Sequence, residues 1–309
     1  MKKLISTINL PHEEWLAYRK KGIGGSDAGA VCGLNPYESP MQIYADKISE
    51  NVEDRDNEAM RQGRDLEDYV ARRFMEATGL RVRKTNAMYY SEEFPFMIAD
   101  VDRLIVGERA GLECKTVNLY SADQWEDGKI PPHYQIQCYH YMAVLGLDSW
   151  YIAALVLGKG FLYRKIEWDE EVIVDLRKIE QDFWENHVKK RIAPPPDGSE
   201  AAGVWIGKNY PMAKKESTML LQGFDERLRR RMELEQLIKK MEKEQAQIDQ
   251  AVKVYLGDTE AAENEAFRVT WKNVMSSTLD TKRLKEERPE VYQEYSRASQ
   301  SRRFTIKAA

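Results

Sequence analysis

Cysteine is scarce in this chain of 309 residues, with Cys32, Cys114 and Cys138 the only three. None forms a CxxC pair, so a disulfide framework and a cysteine-built zinc site are both disfavoured, and the count fits a reducing compartment. Long hydrophobic runs are also missing, because no stretch approaches the roughly 18 to 20 apolar residues of a membrane-spanning helix. The N-terminal segment, Met1 to Leu10, carries two lysines but no apolar stretch ending in a small-residue cleavage site. A cytoplasmic protein without a membrane partner is therefore expected. There is no surplus of positive charge either. Forty-seven Lys and Arg against 51 Asp and Glu leave a formal charge of -4, so any attraction to nucleic acid must be local. His12, His133, His140 and His187 show no HxH or HExxH spacing, which disfavours a zinc enzyme. The absence of GxSxG disfavours a serine hydrolase, and the absence of GxxxxGK[ST] and GxGxxG disfavours a nucleotide cofactor.

What is present is 42% hydrophobic residues, enough for a sizeable core, and 32% charged residues, which describe a solvated surface. The length suggests that core plus a smaller second module. Residues 1–193 read as one α/β unit. In it, Met60, Leu66, Tyr69, Val70, Phe74 and Met75 recur at helical spacing over 58–78, with Gly79 as a stop. Segments 96–106 and 112–117 read as strands joined by a five-residue loop, 132–145 as a helix, 149–168 as a hairpin turning at Gly158-Lys159-Gly160, and 170–191 as a closing helix. Pro194, Pro195 and Pro196 then break the periodicity, and 194–221 is expected to be a linker.

Residues 222–309 are expected to form a long helical arm and a small α+β cap. Leu234, Ile238, Met241, Gln245, Ile248, Val252 and Tyr255 make a heptad-like seam on a helix from about 222 to 256. That seam is compatible with a helix folded on its own protein or with an intermolecular coiled coil. Strand character at 267–271 and 303–306 flanks a helical stretch at 281–296.

The most informative stretch is Ile98 to Ile105 followed by Gly111-Leu112-Glu113-Cys114-Lys115. Strand alternation puts Glu113 and Lys115 on one face, with Leu112 and Cys114 on the other. If the preceding strand pairs with this one, Asp102 projects beside them, and two carboxylates form a hard oxygen site suited to Mg²⁺. Phosphodiester cleavage needs such a site, because the ion polarises the phosphate and neutralises developing charge. Lys115 could then orient or deprotonate a water, the latter requiring a lowered pKa. An isolated ExK is equally what a solvated ion pair looks like. Glu67, on the helix before these strands, is a possible third carboxylate, though Asp65 and Asp68 beside it fit a solvated face. The run Gly22-Ile23-Gly24-Gly25-Ser26-Asp27 opens a small-residue helix and suits either a backbone approaching a phosphate or a simple N-cap. Of Gln135 and Gln137, two apart on a helix, at most one can enter a site.

Taken together these residues resemble the YqaJ-like viral recombinase family, the lambda-exonuclease-type branch of the PD-(D/E)xK nucleases. The resemblance rests on Trp15 and Arg19, GIGGSDAGAVCGLNPY at 22–37, GRDLE at 63–67, Asp102, GLECK at 111–115 and YQIQ at 134–137, in order. It implies a restriction-endonuclease-like α/β fold, a mixed sheet flanked by helices. It further implies that Asp102, Glu113 and the Cys114 carbonyl bind a catalytic Mg²⁺, replaceable by Mn²⁺. Glu67 would be an additional metal-associated carboxylate, Lys115 would serve the water, and Gln135 would support Lys115. Arg19 and Ser26 would hold a 5′-terminal phosphate of double-stranded DNA. The implied activity is 5′ to 3′ degradation of one strand, leaving a 3′ overhang for a single-strand annealing protein in phage-type recombination, with a homotrimeric ring as the implied assembly. The family's Pro-Asp-Gly is here Val101-Asp102-Arg103, so Asp100 rivals Asp102 as first carboxylate. An endonuclease of the same fold and a non-catalytic DNA-end-binding scaffold are the alternatives.

Overall fold

The computed structural model describes residues 2–51, 56–215, 217–297 and 301–307. The elements follow from strong local signals. Asn57 caps helix α4 (Glu58–Thr78) by accepting from the Met60 amide at 3.0 Å, and Gly79 ends it in a left-handed conformation, φ 75°. One face of α4 carries Val70, Ala71 and Phe74 into the core. Before α4 come strand β1 (Lys2–Ser6) and helices α1 (His12–Arg19), α2 (Gly25–Val31) and α3 (Pro40–Ile48).

The chain divides into two compact units, residues 1–210 and 211–309. In the first, β2 (Val82–Arg83), β5 (Arg103–Ile105), β6 (Ala110–Val117), β7 (Ser149–Val156) and β8 (Gly160–Glu167) form a five-stranded mixed sheet in the order β2-β5-β6-β7-β8. Only the central β6–β7 pair is parallel. A smaller antiparallel sheet is built from β1, β3 (Ala87–Tyr90) and β4 (Ile98–Asp100), in the order β1-β3-β4. Helix α4 covers one face of the large sheet, packing Val70 and Phe74 on Leu112 and Ala153. Helix α5 (Pro132–Leu145) lies on the other face, and its residues 137–145 are all buried. Enclosure by the sheet, α2 and α6 (Glu170–Asp182) explains why α5 is hydrophobic nearly all round.

The single strand expected over 96–106 is two strands. The chain leaves the small sheet after Asp100 and enters the large one at Arg103, so Val101 and Asp102 form the crossing between sheets. The closing helix expected to reach 191 is α-helical only to Asp182 and continues as a π-turn, Phe183–Val188. The segment expected to be a linker, 194–221, contains helix α7 (Glu200–Asn209), capped by Ser199 and burying Ala201 and Ala202. The three prolines stop one helix but do not prevent Ser199 from starting another, and the unit boundary falls after Tyr210.

The second unit holds helix α8 (Asp225–Leu256), hairpin strands β9 (Ala261–Glu263) and β10 (Arg268–Thr270), and short helices α9 (Thr281–Glu287) and α10 (Pro289–Tyr295). Leu234, Ile238, Met241, Ile248 and Tyr255 of the heptad-like seam are exposed. The strand expected at 303–306 is not formed; β10 pairs with β9 instead. Among the described residues no helix is long and apolar enough to cross a membrane.

Candidate active site

The antiparallel register of β5 and β6 pairs Arg103 with Leu112 and Leu104 with Gly111. Continued one step, it sets Asp102 opposite Glu113. Asp102 Oδ2 accepts the Cys114 amide at 2.8 Å, which ties the inter-sheet crossing to β6. Glu113 and Lys115 share the face of β6 that looks toward α5, and Lys115 Nζ donates to Glu113 Oε1 at 2.6 Å. Asp102, Glu113 and Lys115 therefore meet as the alternation implied.

The amide completing this group is Gln137, not Gln135. Gln137 Oε1 accepts from Lys115 at 3.0 Å, while its Nε2 donates to Glu113 Oε1 at 2.8 Å and to the Tyr141 hydroxyl at 3.0 Å. Gln135 is turned to Tyr139 instead. The two glutamines lie about 200° apart around the helix, and Gln137 occupies the stripe of His133 and Tyr141 that faces β6 and α2. That stripe, read against the small residues Gly25 and Gly29, was the available signal.

Burial dominates the electrostatics. It pushes the Asp102 carboxyl well above its ordinary range, reinforced by the charges of Glu113 and Glu67. Glu113 is also pushed up by burial, although Lys115 opposes this. For Lys115, burial favours the neutral amine, but Glu113, Tyr134 and Asp102 outweigh it and the pKa rises. Lys115 Nζ rests on the Tyr134 ring, 4.5 Å from its centroid.

Glu67 is held differently from the expectation of a third ligand. The nearly buried Arg103 guanidinium pairs with both Glu67 and Asp68. Among the described residues no three His, Cys, Asp or Glu side chains converge as a metal-binding group. A divalent cation nonetheless fits the two-carboxylate set, because the buried Glu113 Oε2 has no hydrogen-bond partner and two mutually repelling carboxylates are the hard donors such an ion takes.

The rival Asp100 has its own partner: Trp15 Nε1 donates to Asp100 Oδ2 at 2.6 Å. The Arg19 guanidinium lies over the Trp15 ring, 4.9 Å from its centroid, and Nη2 reaches the exposed Ser26 hydroxyl at 2.7 Å. Arg19 and Ser26 are thus brought together at the start of α2. Behind them Asp27 binds the Gly24 amide at 2.9 Å, Arg19 at 3.3 Å and the buried Lys47 ammonium at 2.7 Å. Burial alone would raise the Asp27 pKa, but Lys47 and Arg19 bring it below its ordinary value. Sequence reasoning missed Asp27, Lys47 and Arg103 as organisers, since each acts across 8 to 36 residues.

A sequence model of the YqaJ-like viral recombinase domain matches residues 14–148, a span that contains every residue just described. The uncharacterized protein YqaJ of Bacillus subtilis (strain 168) is 36% identical over 308 residues, covering 98% of this chain and 97% of that one. Among solved structures, the alkaline exonuclease LHK-Exo from Laribacter hongkongensis is similar with a TM-score of 0.51 at 21% identity, over 58% of this chain and 94% of that one. LHK-Exo in complex with dAMP is similar with a TM-score of 0.51 at 20% identity, over 65% and 100%. The likeness to these structures is one of fold.

Proposed function

The chain belongs to the YqaJ-like viral recombinase family, and on that footing we propose that it is a metal-dependent nuclease of the PD-(D/E)xK type, a 5′ to 3′ exonuclease on double-stranded DNA ends. The observation that carries this is the buried pair Asp102 and Glu113, both with raised pKa values and one oxygen unpartnered, beside the Lys115 ammonium. Buried carboxylates that repel each other are costly unless a cation joins them.

Asp102 and Glu113, with the Cys114 carbonyl, would hold Mg²⁺, with Mn²⁺ as a substitute. A cation there supplies Lewis acidity to the scissile phosphate and offsets the charge that develops on it. Lys115 donates hydrogen bonds to the attacking water or to a phosphate oxygen, and Gln137 fixes its ammonium in place. Glu67, gripped by Arg103, acts on Asp102 through its charge. Arg19 and Ser26 bind a terminal 5′-phosphate, which restricts cutting to an end and leaves a 3′ overhang for an annealing protein. A cytoplasmic homotrimer encircling DNA completes the reading, since an acidic chain can then gather its cations toward a central channel.

The test compares 5′-phosphorylated linear duplex, 5′-hydroxyl duplex and closed circular DNA, with Mg²⁺ and with EDTA. Mononucleotide release from the phosphorylated end, abolished by EDTA, is expected. Cutting of closed circles would favour an endonuclease, and DNA binding without nucleotide release a scaffold.

A further inference from the structure

Lys47, on α3, has a side chain only 1% exposed and takes no part in the proposed cleavage. A buried ammonium gives up its hydration and needs partners that repay the loss. Its Nζ donates to Asp27 Oδ2 at 2.7 Å and to the Arg19 backbone carbonyl at 2.9 Å, while the half-buried Asp46 carboxylate lies further off, at 4.0 Å. The bond to the carbonyl ties the end of α1 to α3, and a neutral amide could make it equally well. Only the bond to Asp27 calls for a positive charge.

Asp27 stands between two cations. Lys47 and the Gly24 amide, 2.7 and 2.9 Å away, occupy Oδ2, whereas Oδ1 faces the Arg19 guanidinium at 3.3 Å. Hydrogen bonds between charged groups are ordinarily about 2.7–2.9 Å long, so the carboxylate leans toward Lys47. Arg19 instead makes its short bond to the Ser26 hydroxyl, at 2.7 Å. The carboxylate stays ionised, since the two cations outweigh burial and hold its pKa below the ordinary range. Two cations on one carboxylate leave a single positive charge over. It falls on Arg19, whose side chain is 31% exposed and open to an arriving anion.

We propose that Lys47 is a positioning residue for the strand-end phosphate: by engaging Asp27 it keeps the Arg19 guanidinium turned to Ser26 and free to pair with an anion. The inference rests on the nuclease reading, in which Arg19 and Ser26 hold a 5′-phosphate, and names the group that sets the strength of that hold. With a neutral side chain at position 47, the full charge of Asp27 acts on Arg19. A guanidinium beside a buried carboxylate closes into a two-bond fork. The phosphate would then have to break that fork before it could bind.

The experiment measures, on the full chain, the ratio of dissociation constants for 5′-hydroxyl and 5′-phosphorylated duplexes, with Ca²⁺ in place of Mg²⁺ so that binding is read without cleavage. Wild type is compared with Lys47→Met and with the double variant Lys47→Met/Asp27→Asn. Lys47→Met should lower the ratio about tenfold or more, the weight of one hydrogen bond to a charged group, and change binding of the hydroxyl end little. The double variant removes the carboxylate charge that would capture Arg19, so the wild-type ratio should return. A lysine that merely braced the fold would not be rescued by a second change at Asp27. The double variant also buries no unpaired charge, so it decides the matter if Lys47→Met does not fold. A ratio unchanged in Lys47→Met, or lost in the double variant, overturns the proposal and leaves the nuclease reading standing. Wild type that binds both ends alike overturns the end-holding role of Arg19 and Ser26, and the proposal with it.

Discussion

Asp100 and Trp15, 85 residues apart, are joined by an indole hydrogen bond of 2.6 Å, which gives two aspartates that sequence alone could not rank different surroundings. Asp100 is engaged with the helix that carries Arg19, whereas Asp102 sits against Glu113 and the Cys114 amide.

The two aspartates should therefore fail differently. Asp102→Ala is expected to lower cleavage by about 10²–10³-fold or more, the scale for losing a group that stabilises the transition state. Asp100→Ala removes a hydrogen bond to a charged group, worth about 1.5–3 kcal/mol, and should act on end recognition. Its phenotype would be a reduced preference for 5′-phosphorylated over 5′-hydroxyl ends, measured as a ratio of kcat/KM values. Equal loss on both ends would contradict the assignment.

Gln137→Ala and Gln135→Ala provide a paired comparison. Gln137 bridges Lys115, Glu113 and Tyr141, so its truncation should cut kcat at least about tenfold, the weight of 1.4 kcal/mol, with the fold retained by circular dichroism. Gln135→Ala should change kcat little. The reverse ranking would place the wrong face of α5 in the site.

Metal and pH are linked through Asp102 and Glu113. Both pKa values are raised by folding, so between the ordinary carboxylate range and those raised values the folded state holds more protons than the unfolded one. Stability of the metal-free protein should then fall as pH rises through that window, because the unfolded state binds fewer protons there. A cation reverses the trend, since deprotonated carboxylates bind it. Thermal melts with and without Mg²⁺ should show a metal-induced rise in Tm that grows with pH. A rise independent of pH would mean that these carboxylates do not take the ion.

A buried pair behind the site carries stability. His140 Nδ1 lies 2.8 Å from Glu180 Oε1, its Nε2 lies 2.8 Å from the Ile98 carbonyl, and both side chains are fully buried. Burial lowers the His140 pKa, but Glu180 and the Ile98 carbonyl reverse this and raise it. Glu180→Leu leaves His140 Nδ1 in the core without its partner and should cost about 1–3 kcal/mol in denaturant unfolding, more than Glu180→Leu adds when His140→Leu is already present.

What was legible in the sequence was what local chemistry determines. Asn57 and Gly79 bracket α4 with a cap and a left-handed stop, and β6 alternates visibly, so both helix ends and the shared face of Glu113 and Lys115 were readable. The choice between Gln135 and Gln137 was not, because it depends on the rotation of α5 against β6. Nor was the upward shift of the Lys115 pKa, which Glu113, Tyr134 and Asp102 produce against the effect of burial only once all are brought together. Arg103 drawing Glu67 aside and Lys47 backing Asp27 are likewise tertiary facts. At 303–306 the alternating pattern forms no strand, and β9 and β10 pair only with each other.

Helices α2 and α5 approach closely because Gly25 lies under the Tyr141 ring and an added Cβ at Gly29 would stand 2.8 Å from that of His133. Helix α2 presents Ser26 and α5 presents Gln137, so the step from that hydroxyl to the Lys115–Gln137 group is a length set by two missing methyl groups. On the proposed function the two helices would act as a ruler, their close approach setting the span between a captured strand end and the point of scission.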